Sequence, residues 1–223
     1  MTKKLSFSTI LLCLVVVFNL HAQEIRLHTP PGYNYLYTPD NIPKGSEGSP
    51  YLDDWKLADI QLKNHKTISG VMVRYNVHSD QMLYQENNVA YAIGAPDSIS
   101  EILLSNKVFI YREYKKVKKT KKGFFELIFN GKVSLLNKYE IELIRANYNV
   151  ALNSGNKNDR LILEQQLYLQ QDKQIVPLDK KDVLFEILQD KNKAVNNYMN
   201  KEKLSIKKQQ DVIKILTYYN QLQ

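Results

Sequence analysis

Phe124-Phe125-Glu126-Leu127-Ile128-Phe129-Asn130-Gly131-Lys132-Val133-Ser134-Leu135-Leu136 is the stretch that decides the fold. Side chains alternate across a strand, so Phe125, Leu127 and Phe129 share one face. Asn130-Gly131 is the residue pair that best accepts the positive backbone angles of a two-residue hairpin turn. The doublets Phe124-Phe125 and Leu135-Leu136 put apolar side chains on both faces at once. A sheet of that kind must be covered on both sides, by curling into a half-barrel, by stacking on itself in a sandwich, or by packed helices.

The same period of two runs outward in both directions. Upstream, Val71, Val73 and Tyr75 share a face, then Met82 and Tyr84, then Val89, Tyr91 and Ile93. Lys63-Asn64-His65-Lys66, Asn76 to Asp80, Glu86-Asn87-Asn88 and Gly94-Ala95-Pro96-Asp97 punctuate them as turns. Ile102 to Leu104 predicts a short strand and Val108 to Tyr114 a long one. Downstream, Val133 to Ile144 predicts one or two strands, and Gln174 to Val176 a last short one. Leu161 to Leu169 suits a strand or a helix equally. Short strands joined by short turns predict an antiparallel meander over residues 51–177. After Pro177 the period changes. Val183, Leu184, Ile187 and Leu188 form a helical stripe with Asp179 as N-cap, Ala194, Val195 and Tyr198 a second, and Val212, Ile215, Leu216 and Tyr219 a third, capped by Ser205. The expected fold class is therefore α+β: a curved antiparallel meander sheet followed by a small helical element at 178–223.

The N-terminal residues predict export. Lys3 and Lys4 precede the nine-residue apolar run Ile10–Phe18, and Ala22 offers a small residue at the cleavage point. This is the layout of a signal peptide over residues 1–22, and it is shorter than the ~20 apolar residues of a spanning helix. Leu12 before Cys13 argues against a lipid-anchored cysteine. Cys13 is the chain's one cysteine, so the chain after residue 22 has none for disulfides, thiol catalysis or zinc. Residues 23–50 hold five of the seven prolines and predict an extended arm, in which Tyr33, Tyr35 and Tyr37 fall on one side. The expected destination is the periplasm or the outside of the cell, with no transmembrane segment.

Charge is concentrated in one place. Without Lys3 and Lys4 the chain carries 29 basic and 23 acidic residues, and Arg112–Lys122 (REYKKVKKTKK) alone holds seven of those bases and one acid. The remainder is balanced. Arg112, Lys115, Lys116, Lys118, Lys119, Lys121 and Lys122 are thus the candidate contact to an anionic surface. We expect them on a protruding hairpin end between two strands, either as a site for lipid or glycan anions or an envelope protein, or as a solvated loop that protects strand edges. Lysine outnumbers arginine there, which suits diffuse attraction rather than forked recognition. Export argues against nucleic acid as the partner.

Catalytic patterns are missing from the sequence. There is no Gly-x-Ser-x-Gly elbow and no Gly-rich phosphate loop. His28, His65 and His78 lack metal-ligand spacing. Asp53 and Asp54 point to opposite faces of any strand, and Glu140 and Glu142 lie opposite the apolar Tyr139, Ile141 and Leu143. Arg74 is either a surface residue covering apolar neighbours or an anion contact in a curved sheet. We therefore expect a non-catalytic protein without cofactor or metal. Two alternatives are kept: a carrier of an apolar ligand inside the sheet, lined by Val73, Tyr91 and Phe125, and an envelope hydrolase.

Gly48-Ser49-Pro50-Tyr51-Leu52, Gly70 to Asn76, Gly123 to Leu127 and Gly131 to Leu136, with the Lys207 to Asn220 helix, resemble small exported proteins of Gram-negative bacteria. The resemblance implies an envelope location and a β-rich body with a helical tail. It carries over no activity and no functional residues.

Overall fold

The computed structural model describes residues 42–116 and 119–222. The signal-peptide reading, His28, and the arm residues Tyr33, Tyr35 and Tyr37 lie outside them, as does Lys118. Among the described residues, ten strands form one antiparallel sheet that does not close on itself, followed by three helices. The strands are β1 (Lys56–Leu62), β2 (Thr67–Asn76), β3 (Gln81–Glu86), β4 (Val89–Ala92), β5 (Ile99–Leu104), β6 (Lys107–Lys116), β7 (Lys119–Phe129), β8 (Ser134–Ile144), β9 (Arg160–Gln171) and β10 (Gln174–Pro177). The ambiguous segment 161–169 is strand. Its partner β8 pairs with it over eleven residues, from Ser134↔Gln170 to Ile144↔Arg160, which a helix could not satisfy.

The sheet order is β10-β9-β8-β7-β6-β5-β1-β2-β3-β4. β1 to β4 meander one way. A 3-10 turn at Pro96–Ser98 then leads the chain to the other side of β1, where β5 begins a second meander out to β10.

Adjacent apolar residues do go to opposite faces. Phe109, Phe124 and Ile102 of the second meander join a core with Ile60, Val73 and Tyr75 of the first. Their neighbours Ile110 and Phe125 join Tyr114, Leu136, Tyr168 and Ile175 in a separate core inside the curl of β6 to β10. There the rings of Tyr114, Phe125 and Tyr168 meet edge to face, with centroids 5.1, 5.3 and 5.9 Å apart. The helices are α1 (Lys181–Ile187), α2 (Asn192–Lys201) and α3 (Gln209–Gln221). They bury Leu184, Val195, Met199, Ile215 and Leu216 against Leu135 and Leu169 of the sheet and Val133 of the β7–β8 loop. Helices of this length gain most of their stability from such packing.

Two local expectations need correction. The Asn130-Gly131 turn is not a two-residue hairpin. Phe129 pairs with Leu135 after a register shift, which leaves a wider loop between them. Val133 is the reason: it is fully buried among the helices and draws the loop toward them, and α3 packs so close that a Cβ on Gly131 would stand 2.3 Å from Asn220 Nδ2. The helix caps also differ. α1 starts after Lys180, not Asp179, and α3 after Lys208, not Ser205, neither with a side-chain cap. Ser205 instead opens the preceding turn, where its N–H donates to Asp211 and its hydroxyl accepts from the Lys207 N–H.

Candidate functional site

The basic segment forms the end of a hairpin, but its described residues lie in the strands and not between them, as the outer half of β6 and β7. Their pairing runs without interruption from Phe109↔Glu126 to Lys116↔Lys119. The neighbours stop early: β5 pairs with β6 only as far as Phe109, and β8 pairs with β7 only as far as Glu126↔Asn137. From Ile110 outward the hairpin is a two-stranded ribbon with both edges released.

A latch holds the base of this ribbon. The turn after β2 inserts Asp80 into the split between β7 and β8. Asp80 accepts the Phe124 N–H at 3.2 Å, the Tyr75 hydroxyl at 2.6 Å and the Lys138 ammonium at 2.6 Å. Lys138 also donates to the Phe124 carbonyl at 2.9 Å. Its side chain is 2% exposed. Burial lowers the Lys138 pKa, while the Asp80 carboxylate pulls the other way. Burial first, then Asp80, raises the Tyr75 pKa well above its usual range. Gly123 makes room: a Cβ there would stand 2.2 Å from Asp80 Oδ2 and 2.8 Å from Lys138 Nζ. Below the latch, buried Glu126 is satisfied by Lys107 at 2.8 Å and by the Tyr139 hydroxyl.

The cations of the segment divide into two groups. Lys116 pairs with Glu140 at 2.5 Å and Lys122 with Asp97 at 2.9 Å, and that hydrogen bond raises the Lys122 pKa. Arg112 is half-buried, donates to the Tyr111 carbonyl at 3.0 Å, and has its pKa lowered by desolvation. The side chains of Lys115, Lys119 and Lys121 are exposed and make no ion pair or hydrogen bond among the described residues. Of the six described members of the set, two fasten the ribbon to Glu140 and Asp97, Arg112 folds back on its own strand, and three project.

Two recesses flank the ribbon. One of about 600 Å³ separates β6 from β10, with Tyr114, Lys115, Ile175, Val176 and Pro177 among its walls. The other, about 400 Å³, lies in the β7–β8 split against Asp80, Lys116, Lys121 and Lys138. The interior of the curl itself is filled by the aromatic core. Val73, Tyr91 and Phe125 do not line one cavity: Val73 and Phe125 belong to different cores, and Tyr91 stacks on Tyr84 at 5.4 Å.

The other sequence candidates are placed simply. The Arg74 guanidinium lies 3.6 Å over the Tyr51 ring and 4.7 Å from that of Trp55, with Asp54 at 3.5 Å, so its charge is met by its own neighbours. Among the described residues, no three His, Cys, Asp or Glu side chains are grouped to hold a metal ion. No helix there is long and apolar enough to cross a membrane. Sequence reasoning missed Asp80 and Lys138. Gly123, inside an apolar strand, was the available sign that something approaches the backbone closely. No family model, curated protein or solved structure matches this chain.

Proposed function

We propose that this is an exported, non-catalytic binding protein that docks on an anionic surface or an acidic envelope partner through the β6–β7 ribbon. One observation carries the reading: Lys115, Lys119 and Lys121 lack acidic partners on a ribbon that Lys116, Lys122 and the Asp80–Lys138 latch hold in place. A surface lysine whose charge serves an internal pair contributes little to an external anion. Three free ones on a fixed support add up, at ~1 kcal/mol each beside an anionic membrane.

The test separates position from total charge. K115Q/K119Q/K121Q should lose binding to an immobilised sulfated polysaccharide and to anionic vesicles. K63Q/K66Q/K214Q, which removes the same charge elsewhere, should keep it. Equal losses in both variants would reduce the effect to net charge and overturn the reading.

An apolar ligand has a different place from the one first expected. The recess between β6 and β10, with Ile175, Val176 and Pro177 on one wall, falls in the usual size range of small-molecule sites. This second reading predicts extra mass in native mass spectrometry of the purified protein, removable by organic solvent and lost in V176D.

A further inference from the structure

We propose that the open end of the sheet docks on a lipid bilayer, with the β6–β7 lysines at the headgroups and the β8–β9 loop inserted beyond them. The inference rests on the anionic-surface reading and narrows it to one partner. β6 ends at Lys116, β7 begins at Lys119, β8 ends at Ile144 and β9 begins at Arg160. In this antiparallel arrangement both connections leave the same end of the sheet. The Lys116–Glu140 pair ties the ribbon to β8 at that end.

The β8–β9 loop carries two large apolar side chains in water: Val150 is 81% exposed and Leu152 73%. Nothing about the loop is slack. Asn149 and Ser154 exchange backbone hydrogen bonds at 2.8 and 3.3 Å, and the Leu152 N–H donates to Asn149 Oδ1 at 3.1 Å. The Tyr148 hydroxyl donates to Asn153 at 2.5 Å, the Asn156 N–H to Asn147 Oδ1 at 2.8 Å, and Arg145 pairs with Asp159 at 2.8 Å. Gly155, at φ +99, lets the chain pass where a Cβ would strike the Asn147 carbonyl at 2.6 Å. These bonds brace the loop from within, and Val150-Ala151-Leu152 is held at its tip.

Below the tip, half-buried Tyr148 has the Lys157 ammonium 5.0 Å over its ring. Tyrosine and lysine are the residues that settle at the headgroup level of a membrane. The order from the tip is thus apolar, then aromatic and cationic, the order of a bilayer entered from water. A nucleic acid or a polysaccharide would use the lysines and leave Val150 and Leu152 exposed.

The experiment is co-sedimentation of the full chain with vesicles of phosphatidylglycerol and phosphatidylcholine, compared with phosphatidylcholine alone. The apolar run Ile10–Phe18 holds all variants alike on any vesicle, so binding is read as the excess over phosphatidylcholine alone. K115Q/K119Q/K121Q should bind about a hundredfold more weakly, at about fivefold per lysine, with the salt dependence largely gone. V150S/L152S should lose about tenfold or more with the salt dependence intact. An environment-sensitive dye on L152C, in a C13S background, should shift to the blue with anionic vesicles and not with a sulfated polysaccharide or duplex DNA. Parental binding by V150S/L152S with no dye shift would overturn bilayer insertion and leave the anionic-surface reading standing. Parental binding by the lysine variant would overturn both.

Discussion

Gly123 is a residue whose absence of a side chain does a structural job. The space a Cβ would fill is where the Asp80 carboxylate and the Lys138 ammonium meet. Gly123→Ala should cost about 1–3 kcal/mol by overpacking, read from denaturant unfolding. Asp80→Ala should cost about 3–5 kcal/mol, because it strands a buried ammonium, whereas Asp80→Ala combined with Lys138→Met should recover much of that loss. Additive losses in the double variant would mean the two residues do not act as a pair. The buried phenols make an alkaline prediction. Burial raises the Tyr114 and Tyr168 pKa values, that of Tyr168 to about 12, and burial with Asp80 raises Tyr75. Their folded-state values lie above the ordinary value of about 10, so the stability they contribute is whole below that and lost as pH climbs toward about 12. Lys138, lowered by burial, acts in the opposite sense below 10.5, but it is one group against three. Phenolate absorbance and circular dichroism should therefore change together above the ordinary range. Full ionisation of every tyrosine near the ordinary value, with the fold intact, would contradict this.

At the scale of elements, the helices are joined to the sheet through one apolar layer. Ile215 is fully buried there with Val133, Leu135 and Leu169. Ile215→Ala should cost about 2–5 kcal/mol and leave a single unfolding transition by circular dichroism. A separate early transition of the helices would show the layer to be weaker than its burial implies. Strands and helices were legible in the sequence because a two-residue period and a 3.6-residue stripe are local signals. Loops and caps were less so, because distant contacts decide them. Val133 is drawn to the helices and opens the Asn130-Gly131 turn, and helix packing moves the starts of α1 and α3 past Asp179 and Ser205. Seven bases in eleven residues read as a hairpin end between two strands, yet the six of them that are described lie on the strands themselves. Glu140 and Asp97, far off in the chain, meet Lys116 and Lys122 and let the pairing continue. The basic cluster was legible; which of its members remain free was not. Val150 and Leu152 gave no periodic signal at all, and only their exposure marks them.

Across the whole molecule, the arrangement is an open sheet that buries three apolar cores against its own halves and the helices, with the basic ribbon at one end. Of the net charge of +8, the segment Arg112–Lys122 at that end supplies six and Lys3 and Lys4 two, and the rest of the chain is balanced. Such a distribution gives the molecule an orientation in an electric field gradient, and salt screens it within a Debye length of ~10 Å at 0.1 M. The most direct test is therefore a salt titration of vesicle binding on the parent, K115Q/K119Q/K121Q and the charge-matched K63Q/K66Q/K214Q. The account predicts steep, matching salt dependence for the parent and the charge-matched variant, and weak, nearly flat binding for the ribbon variant. Superimposable curves for the two triple variants would contradict it.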